Sequence, residues 1–497
     1  MDQHLATDGT SFEIIKATVA GLFKSDEDGN VVPELVSEYE VSDDGLTYTF
    51  KLRNDAKWDN GTSITANDFV FSWRRLVDPT TASEYSYIAD VAGVENAAKV
   101  TAGEFPKESL GVEAVDEYTL KVTLERPVAF FLRLMVFPAF YPLNEEFVTE
   151  QGSSYAAGPD YLLSSGPFKL SEWNSGYSYT IEKNDSYFGK DSVSLDGVEF
   201  LVISDHQTAV LEYGSGNLDV INLSGELVGL YENNEELMLR GQSSVWYIAP
   251  NHSVEELQNY NLLCALAYAV NKEQLTDVVL NDGSIAANFL IPMNFATGPD
   301  GKSFRETSPT YLNFDLQKAQ SYWEVAKSEL GVDNLTLELL FDNTGTGKKC
   351  AEFIQAQLQA NLPGLTITLK SQPKKNRIQL MFAGDYDIAL TAWGADYTDP
   401  TSYLDMYRED SSYNFINYYS KEYNALSDRI NKGDLVLDEA GRWEAMKEAE
   451  AILLEKDVVV FPMYQQGGAY LINSKVSHLV PNAIDVSFMY DKAVLAD

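Results

Sequence analysis

Between Leu335 and Leu390 the apolar residues switch repeatedly between two periods, and few folds accept that succession. Leu335 to Phe341 alternates as a strand does, and Lys348 to Gln359 has helical spacing. Leu365 to Lys370 alternates again, and Lys374 to Phe382 reads as a second helix. Ile388, Ala389 and Leu390 then form a short buried run, entered from a turn at Gly384-Asp385-Tyr386. A β-α-β-α-β order needs right-handed crossovers and predicts a parallel, doubly wound sheet. Ligands of such sheets bind beyond the carboxyl ends of the strands. Here that place is Trp393-Gly394-Ala395-Asp396: a large aromatic, a backbone left accessible by glycine, and a carboxylate.

At 497 residues the chain is too long for one core, and two or three domains are expected. Phe12, Ile15, Val19 and Leu22 mark one face of a helix capped by Asp8, Thr10 or Ser11. Asp43-Asp44-Gly45 turns into Leu46 to Arg53, which alternates as one arm of a hairpin. Thr65 to Asp68 opens an aromatic helix from Phe69 to Leu76. Val112 to Val115 and Tyr118 to Leu124 form a second pair of strands, and Phe130 to Phe137 reads as an apolar helix. Ser164-Ser165-Gly166-Pro167 then punctuates a chain crossing, so the part before it reads as an α+β insert. Strands follow at Tyr177 to Glu182, Gly197 to Ile203 and Leu218 to Ile221. From about residue 244 longer helices take over: Leu262 to Ala269, Gln317 to Leu330 between Asp315 and Gly331, and Asp438 to Glu455. In the last of these only Glu450 interrupts an apolar stripe. Val458 to Phe461 reads as a buried strand.

The 75 acidic and 36 basic residues give a net charge of -39. That balance argues against binding nucleic acid, which needs basic patches, and against adhering to anionic membranes. No run of about 18 apolar residues occurs, so no membrane span is predicted. The two cysteines, Cys264 and Cys350, lie in helix-like apolar patterns and read as buried core thiols rather than a mutual disulfide. No signal segment is read at Met1-Asp2-Gln3-His4, where the sequence opens abruptly as if a leader had been cut from it.

Chemistry is scarce. His4, His206, His252 and His478 are widely separated and none has the spacing of a metal site, so no metal and no cofactor is expected. No GxSxG elbow occurs, and Gly345-Thr346-Gly347-Lys348-Lys349 departs from the P-loop pattern at two positions. Asp396 and Asp399 are spaced to act as an acid–base pair, but no nucleophile accompanies them. Asp399, before Pro400, also fits a helix cap. What remains is a binding site of aromatics and one or two carboxylates.

These residues carry a resemblance. Trp393-Gly394-Ala395-Asp396-Tyr397-Thr398-Asp399-Pro400-Thr401-Ser402 resembles the W-x-A-D-Y-x-(E/D)-P-(T/S)-(S/F) signature of oligopeptide-binding proteins, the family 5 extracytoplasmic solute receptors of peptide ABC importers. Asp43 to Arg53, Lys57-Trp58-Asp59-Asn60-Gly61, Thr65 to Trp73 and Asp78 to Tyr85 resemble further stretches of the same family, and the likeness spans essentially the whole chain.

The resemblance implies an α/β, two-lobed, periplasmic-binding-protein-like fold of the cluster C type, with a hinge and an extra α+β domain. Lobe I would comprise residues 1–20, 165–243 and 470–497, the extra domain 21–164, and lobe II 244–469. It implies a binding protein and not an enzyme: a monomer that captures short peptides in a cleft between the lobes and delivers them to a membrane ABC permease. Its place would be extracytoplasmic, as a periplasmic protein or a cell-surface lipoprotein. Asp396 would pair with the ligand's α-ammonium group, and Trp393 would wall a side-chain pocket. Ala392 and Gly394 would offer backbone groups to an extended ligand, and Tyr85 would cover it from the extra domain. Tyr247 and Tyr464 match aromatic cleft positions, and Tyr397, Asn222 and Lys374 complete the expected set. The chain departs from the best-studied enterobacterial type at Lys374 (tryptophan there) and at Asn222 (tyrosine there). That type's basic residues for a peptide carboxylate fall on Met381 and Leu390. A non-peptide or modified-peptide solute, or a peptide-sensing role, is therefore the alternative reading.

Overall fold

The stretch from Leu335 to Trp393 folds as its periods predict. In this computed structural model, which describes residues 1–27, 29–395, 397–481 and 488–496, strands and helices alternate through it without a break. The chain divides into two compact units, residues 1–220 with 472–497, and residues 221–471.

Among the described residues unit 1 holds two antiparallel sheets of three or more strands, beside three short two-stranded ones. Val36–Val41, Thr47–Leu52, Thr119–Thr123 and Val112–Asp116 form the first, in that spatial order, wholly within the stretch expected as an extra domain. Thr47–Leu52 shows why it pairs: Tyr48, Phe50 and Leu52 point inward while Thr47, Thr49 and Lys51 do not. Phe168–Asn174, Ser178–Lys183 and Gly197–Leu201 form the second sheet. Asp8 caps the Gly9–Thr18 helix, and Thr65 with Asp68 makes a capping box at the start of Ala66–Val77. The expected helix over Phe130 to Phe137 shrinks to one turn, Phe131–Leu134. Pro138 forces Phe137 into an extended conformation and stops it.

Unit 2 is built on one mixed sheet. Its strands are β1 (Val220–Leu223), β2 (Leu237–Pro250), β3 (Ile285–Ala286), β4 (Leu335–Asp342), β5 (Leu365–Gln372), β6 (Ile388–Trp393) and β7 (Phe461–Ile472). The spatial order is β1-β7-β2-β6-β4-β5, with β3 against β7. Helices α1 (Gly345–Asn361) and α2 (Lys374–Ala383) make the crossovers between β4, β5 and β6, which run parallel as predicted. The sheet is mixed because β2, outside that stretch, pairs antiparallel with both β6 and β7.

Residues 221–243, expected with the first lobe, lie in unit 2, because β2 runs from Leu237 and carries its first half into the same sheet. The strand expected at Val458 to Phe461 begins only at Phe461, since Val458 turns through a left-handed conformation. Cys264 and Cys350 are both free and buried. No described helix is long and apolar enough to cross a membrane.

Gly467 in β7 marks the tightest packing in this sheet. A Cβ there would lie 2.0–2.2 Å from the backbone of Gly283 and Ser284. Gly467→Ala is expected to lower the unfolding free energy of unit 2 by about 1–3 kcal/mol, as overpacking does. A urea titration followed by tryptophan fluorescence would refute this close approach if the midpoint did not move.

Candidate functional site

The site is built on the last residues of β6. Ile388, Ala389, Leu390 and Thr391 are buried, Ala392 and Trp393 are half-buried, and Gly394 is exposed. β2 pairs with β6 along its whole length, from Pro250 opposite Ile388 to Val245 opposite Trp393. β4 pairs with β6 only at Ile388 and Ala389, while its own far end stays with β5 as far as Asp342. Beyond Ala389 the two parallel strands therefore part, and among the described residues one edge of Leu390 to Trp393 has no strand partner.

Arg377, on α2, spans the gap. Its Nε donates to Asp342 Oδ1 at 2.7 Å and its Nη1 to Thr391 Oγ1 at 2.6 Å, with all three residues buried. The pair is neutral as a unit, so it ties the diverging strands without adding net charge to the site.

Trp393 is held rather than loose. Its Nε1 donates to the Ser402 carbonyl at 2.8 Å, and its ring meets Tyr413 edge-on at 5.0 Å. Gly394 sits so close to Ser244 that a Cβ would lie 2.9 Å from the hydroxyl oxygen. A side chain there would crowd the backbone that the site needs accessible. Asp396, the expected ammonium partner, lies outside the described residues.

Asp399 fixes the chain after it. Its Oδ1 accepts from the Thr401 amide and hydroxyl, at 3.1 and 2.6 Å. Arg442 grips both carboxylate oxygens at 2.8 Å, with the pair almost fully buried. Burial works against the Arg442 charge, but Asp399 outweighs it and the guanidinium pKa is raised. Asp399 thus holds the turn before the Thr401–Leu404 helix, whose N-cap is Pro400, and pairs with Arg442, which leaves it unsuited to act as an acid or base. Tyr403 adds a hydrogen bond from its hydroxyl to the Ser243 carbonyl.

The other expected residues scatter. Tyr247 was matched to a cleft position, yet it is fully buried in the core of unit 2. The strand alternation explains this: Tyr247 stands opposite Thr391, on the face that carries Arg377. Its neighbour Trp246 stands opposite Ala392, is half-buried, and stacks on Tyr464 at 5.8 Å. Trp246 is thus the half-buried aromatic at this point of β2, and a period-two reading of Val245 to Ile248 separates it from Tyr247. Tyr464 is 3% exposed, and its hydroxyl lies 3.9 Å from Cys350 Sγ. Burial lifts that hydroxyl well above the usual tyrosine range and keeps it neutral.

Tyr397 is buried, with its hydroxyl 3.5 Å from Thr401 Oγ1. Lys374 is exposed in the first turn of α2, and Asn222 is exposed on β1, three strands from β6 in the sheet. Tyr85 lies in unit 1, packed edge-on to Phe12 at 5.6 Å and against Phe137 at 5.0 Å. Of the expected set, Ala392, Trp393 and Gly394 are brought together.

Helices around a mixed sheet, in a chain of two compact units, fit the periplasmic-binding-protein-like class of fold, to which the matching solved structures belong. Within that class the chain belongs to the bacterial extracellular solute-binding proteins, family 5, whose middle region it matches over residues 30–415. It is 32% identical to the dipeptide-binding protein of Lactococcus lactis subsp. cremoris, over 96% of this chain and 89% of that protein. Among solved structures it resembles Listeria monocytogenes OppA bound to peptide, with a TM-score of 0.80 and 38% identity, covering 100% of this chain and 96% of the other. The pheromone receptor PrgZ, solved to show its mode of peptide binding, gives a TM-score of 0.80 at 31% identity over 100% of this chain and 97% of its own.

Proposed function

We propose that this chain is an extracytoplasmic receptor that captures short peptides and delivers them to a membrane ABC permease. The observation that carries the reading is the unpartnered edge of β6, ending in Trp393-Gly394. An extended peptide added along that edge satisfies its backbone through main-chain hydrogen bonds, whatever its side chains are. Trp393 walls one side-chain pocket, and Trp246 joins Ala392 on the opposite face of the strand. Asp396 takes the peptide's ammonium group. Lys374 and Asn222 replace the enterobacterial aromatics, so the peptide's distal end is held differently from that type. Residues 21–164 are assigned the extra domain, and Tyr85 is its contribution to the ligand. The protein works as a monomer, confined outside the cytoplasm by a lipid anchor or an outer membrane.

The test is native mass spectrometry of the protein as purified from cells, followed by denaturation and identification of what is released. A ladder of short peptides of mixed sequence is expected, and Asp396→Ala is expected to abolish it. One defined non-peptide mass would replace peptide by another solute and leave the receptor fold standing.

A further inference from the structure

Unit 1 contains a cavity of about 450 Å³ between the Gly9–Thr18 helix, the strands Phe23–Ser25 and Val31–Pro33, and residues 488–492. That volume is within the range of small-molecule sites, roughly 300–1,000 Å³. One part of its wall is aromatic, from Tyr141, Phe168 and Tyr490. The charged lining residues comprise five carboxylates and three ammonium groups, a formal excess of two negative charges.

Glu34 is the deepest of the carboxylates, 9% exposed. Its Oε2 accepts the Gly21 amide at 2.9 Å. Its Oε1 accepts no hydrogen bond from the described residues. Lys24 Nζ stands 3.8 Å from that oxygen and donates instead to Asp491 Oδ2 at 3.3 Å. Burial raises the Glu34 pKa to about 7, with Lys24 offsetting it only in part. Its charged form is therefore under-compensated, and a second cation within reach of Oε1 would be held by a charge-assisted hydrogen bond.

We infer that this cavity is a second ligand site, separate in its residues from the Trp393 strand end, for a compact organic monocation. The ligand's primary ammonium group would sit on Glu34 Oε1 and its apolar body against Tyr141, Phe168 and Tyr490. The aromatic wall suits such a ligand twice over, by burying apolar surface and by attracting the cation to ring faces. A divalent metal fits the site less well, since among the described residues no group of three or more acids, histidines or cysteines converges to hold one.

The full-length protein is titrated with benzylammonium chloride at pH 8 and constant ionic strength, with benzyl alcohol as the uncharged control, by isothermal titration calorimetry. Saturable binding at one site per chain is expected, about tenfold or more tighter than the alcohol, because only the ammonium meets the carboxylate. Glu34→Gln should weaken benzylammonium by about tenfold while leaving the ladder of co-purified peptides unchanged. Lys24→Met removes the ammonium that competes for Glu34 and Asp491, so it should tighten benzylammonium, a gain that misfolding would not produce. Unsaturable binding, equal affinity for the alcohol, or a Lys24→Met variant that binds no tighter than the parent would overturn the assignment.

Discussion

Arg442→Met is expected to lower the unfolding free energy of unit 2 by about 3–5 kcal/mol, the cost of stranding one member of a buried ion pair. Asp399 has only 3% of its side chain exposed, and both its oxygens depend on the guanidinium. With methionine opposite, the carboxylate must stay charged without a counter-ion or take up a proton. Either outcome disturbs the bonds to Thr401 and the turn that leads to Tyr403. The variant should therefore also lose peptide, although Arg442 touches none. The double variant Asp399→Asn with Arg442→Met should recover part of the stability, because a neutral amide still accepts from Thr401 and carries no charge into the core. Four of the seven tryptophans (Trp246, Trp323, Trp393 and Trp443) belong to unit 2, so fluorescence in urea follows the relevant transition. A loss below about 1 kcal/mol would mean that water reaches Asp399 and that the pair is no anchor.

The parallel part of the fold was legible because β4, α1, β5, α2 and β6 follow one another with short connections and clean periods. The long antiparallel strands were not. β2 carries Gly241-Gln242-Ser243-Ser244 at a register shift between Gly241 and Val245, and β7 carries Gln465-Gln466-Gly467-Gly468. Polar and small residues there obscure the alternation. They are tolerated because Gln465 is buried and spends its amide on Gln242 and Met293, and Gly467 makes room for Gly283. Such partners are distant in sequence, and no local pattern announces them. Glu450 teaches the same lesson. It looked like a flaw in an apolar stripe, yet it is fully buried, accepts the amides of Leu290 and Ile291, and pairs with Arg305.

The site was legible in part for a related reason. Trp393 and Gly394 end a strand whose position the periods determine, so their exposure could be argued before any coordinates. Asp342 and Arg377 were invisible as a pair, since their meeting depends on β4 and β6 parting beyond Ala389. Tyr247 was misjudged because a one-residue difference along a strand exchanges core for solvent. At that place the pleat sets Tyr247 in the core and leaves Trp246 half-buried.

Lys272 supplies the second large effect, through pH. It is fully buried, and its Nζ donates only to neutral oxygens: the Ala287 carbonyl at 3.2 Å, Asn288 Oδ1 at 3.0 Å and the Leu312 carbonyl at 2.9 Å. Among the described residues no carboxylate pairs with it, and burial pushes its pKa down to about 7, with Glu273 opposing weakly. In the unfolded chain a lysine titrates near 10.4. Below pH 7 both states are protonated, and the folded state bears the full cost of the buried charge. Between about 7 and 10.4 the unfolded chain binds more protons than the folded one, so the Lys272 contribution to stability rises with pH, by up to about 1.4 kcal/mol per unit. Lys272→Met removes both the titration and the buried charge, at the cost of the three hydrogen bonds. What identifies the lysine is the stability of the parent minus that of the variant, which should rise by several kcal/mol from pH 6 to pH 10. Self-repulsion from the net charge of -39 falls on both alike and cancels in the difference. Urea midpoints of unit 2 that ran parallel across this range would show that Lys272 keeps its proton when folded, held by its three oxygen partners at no cost that pH can relieve.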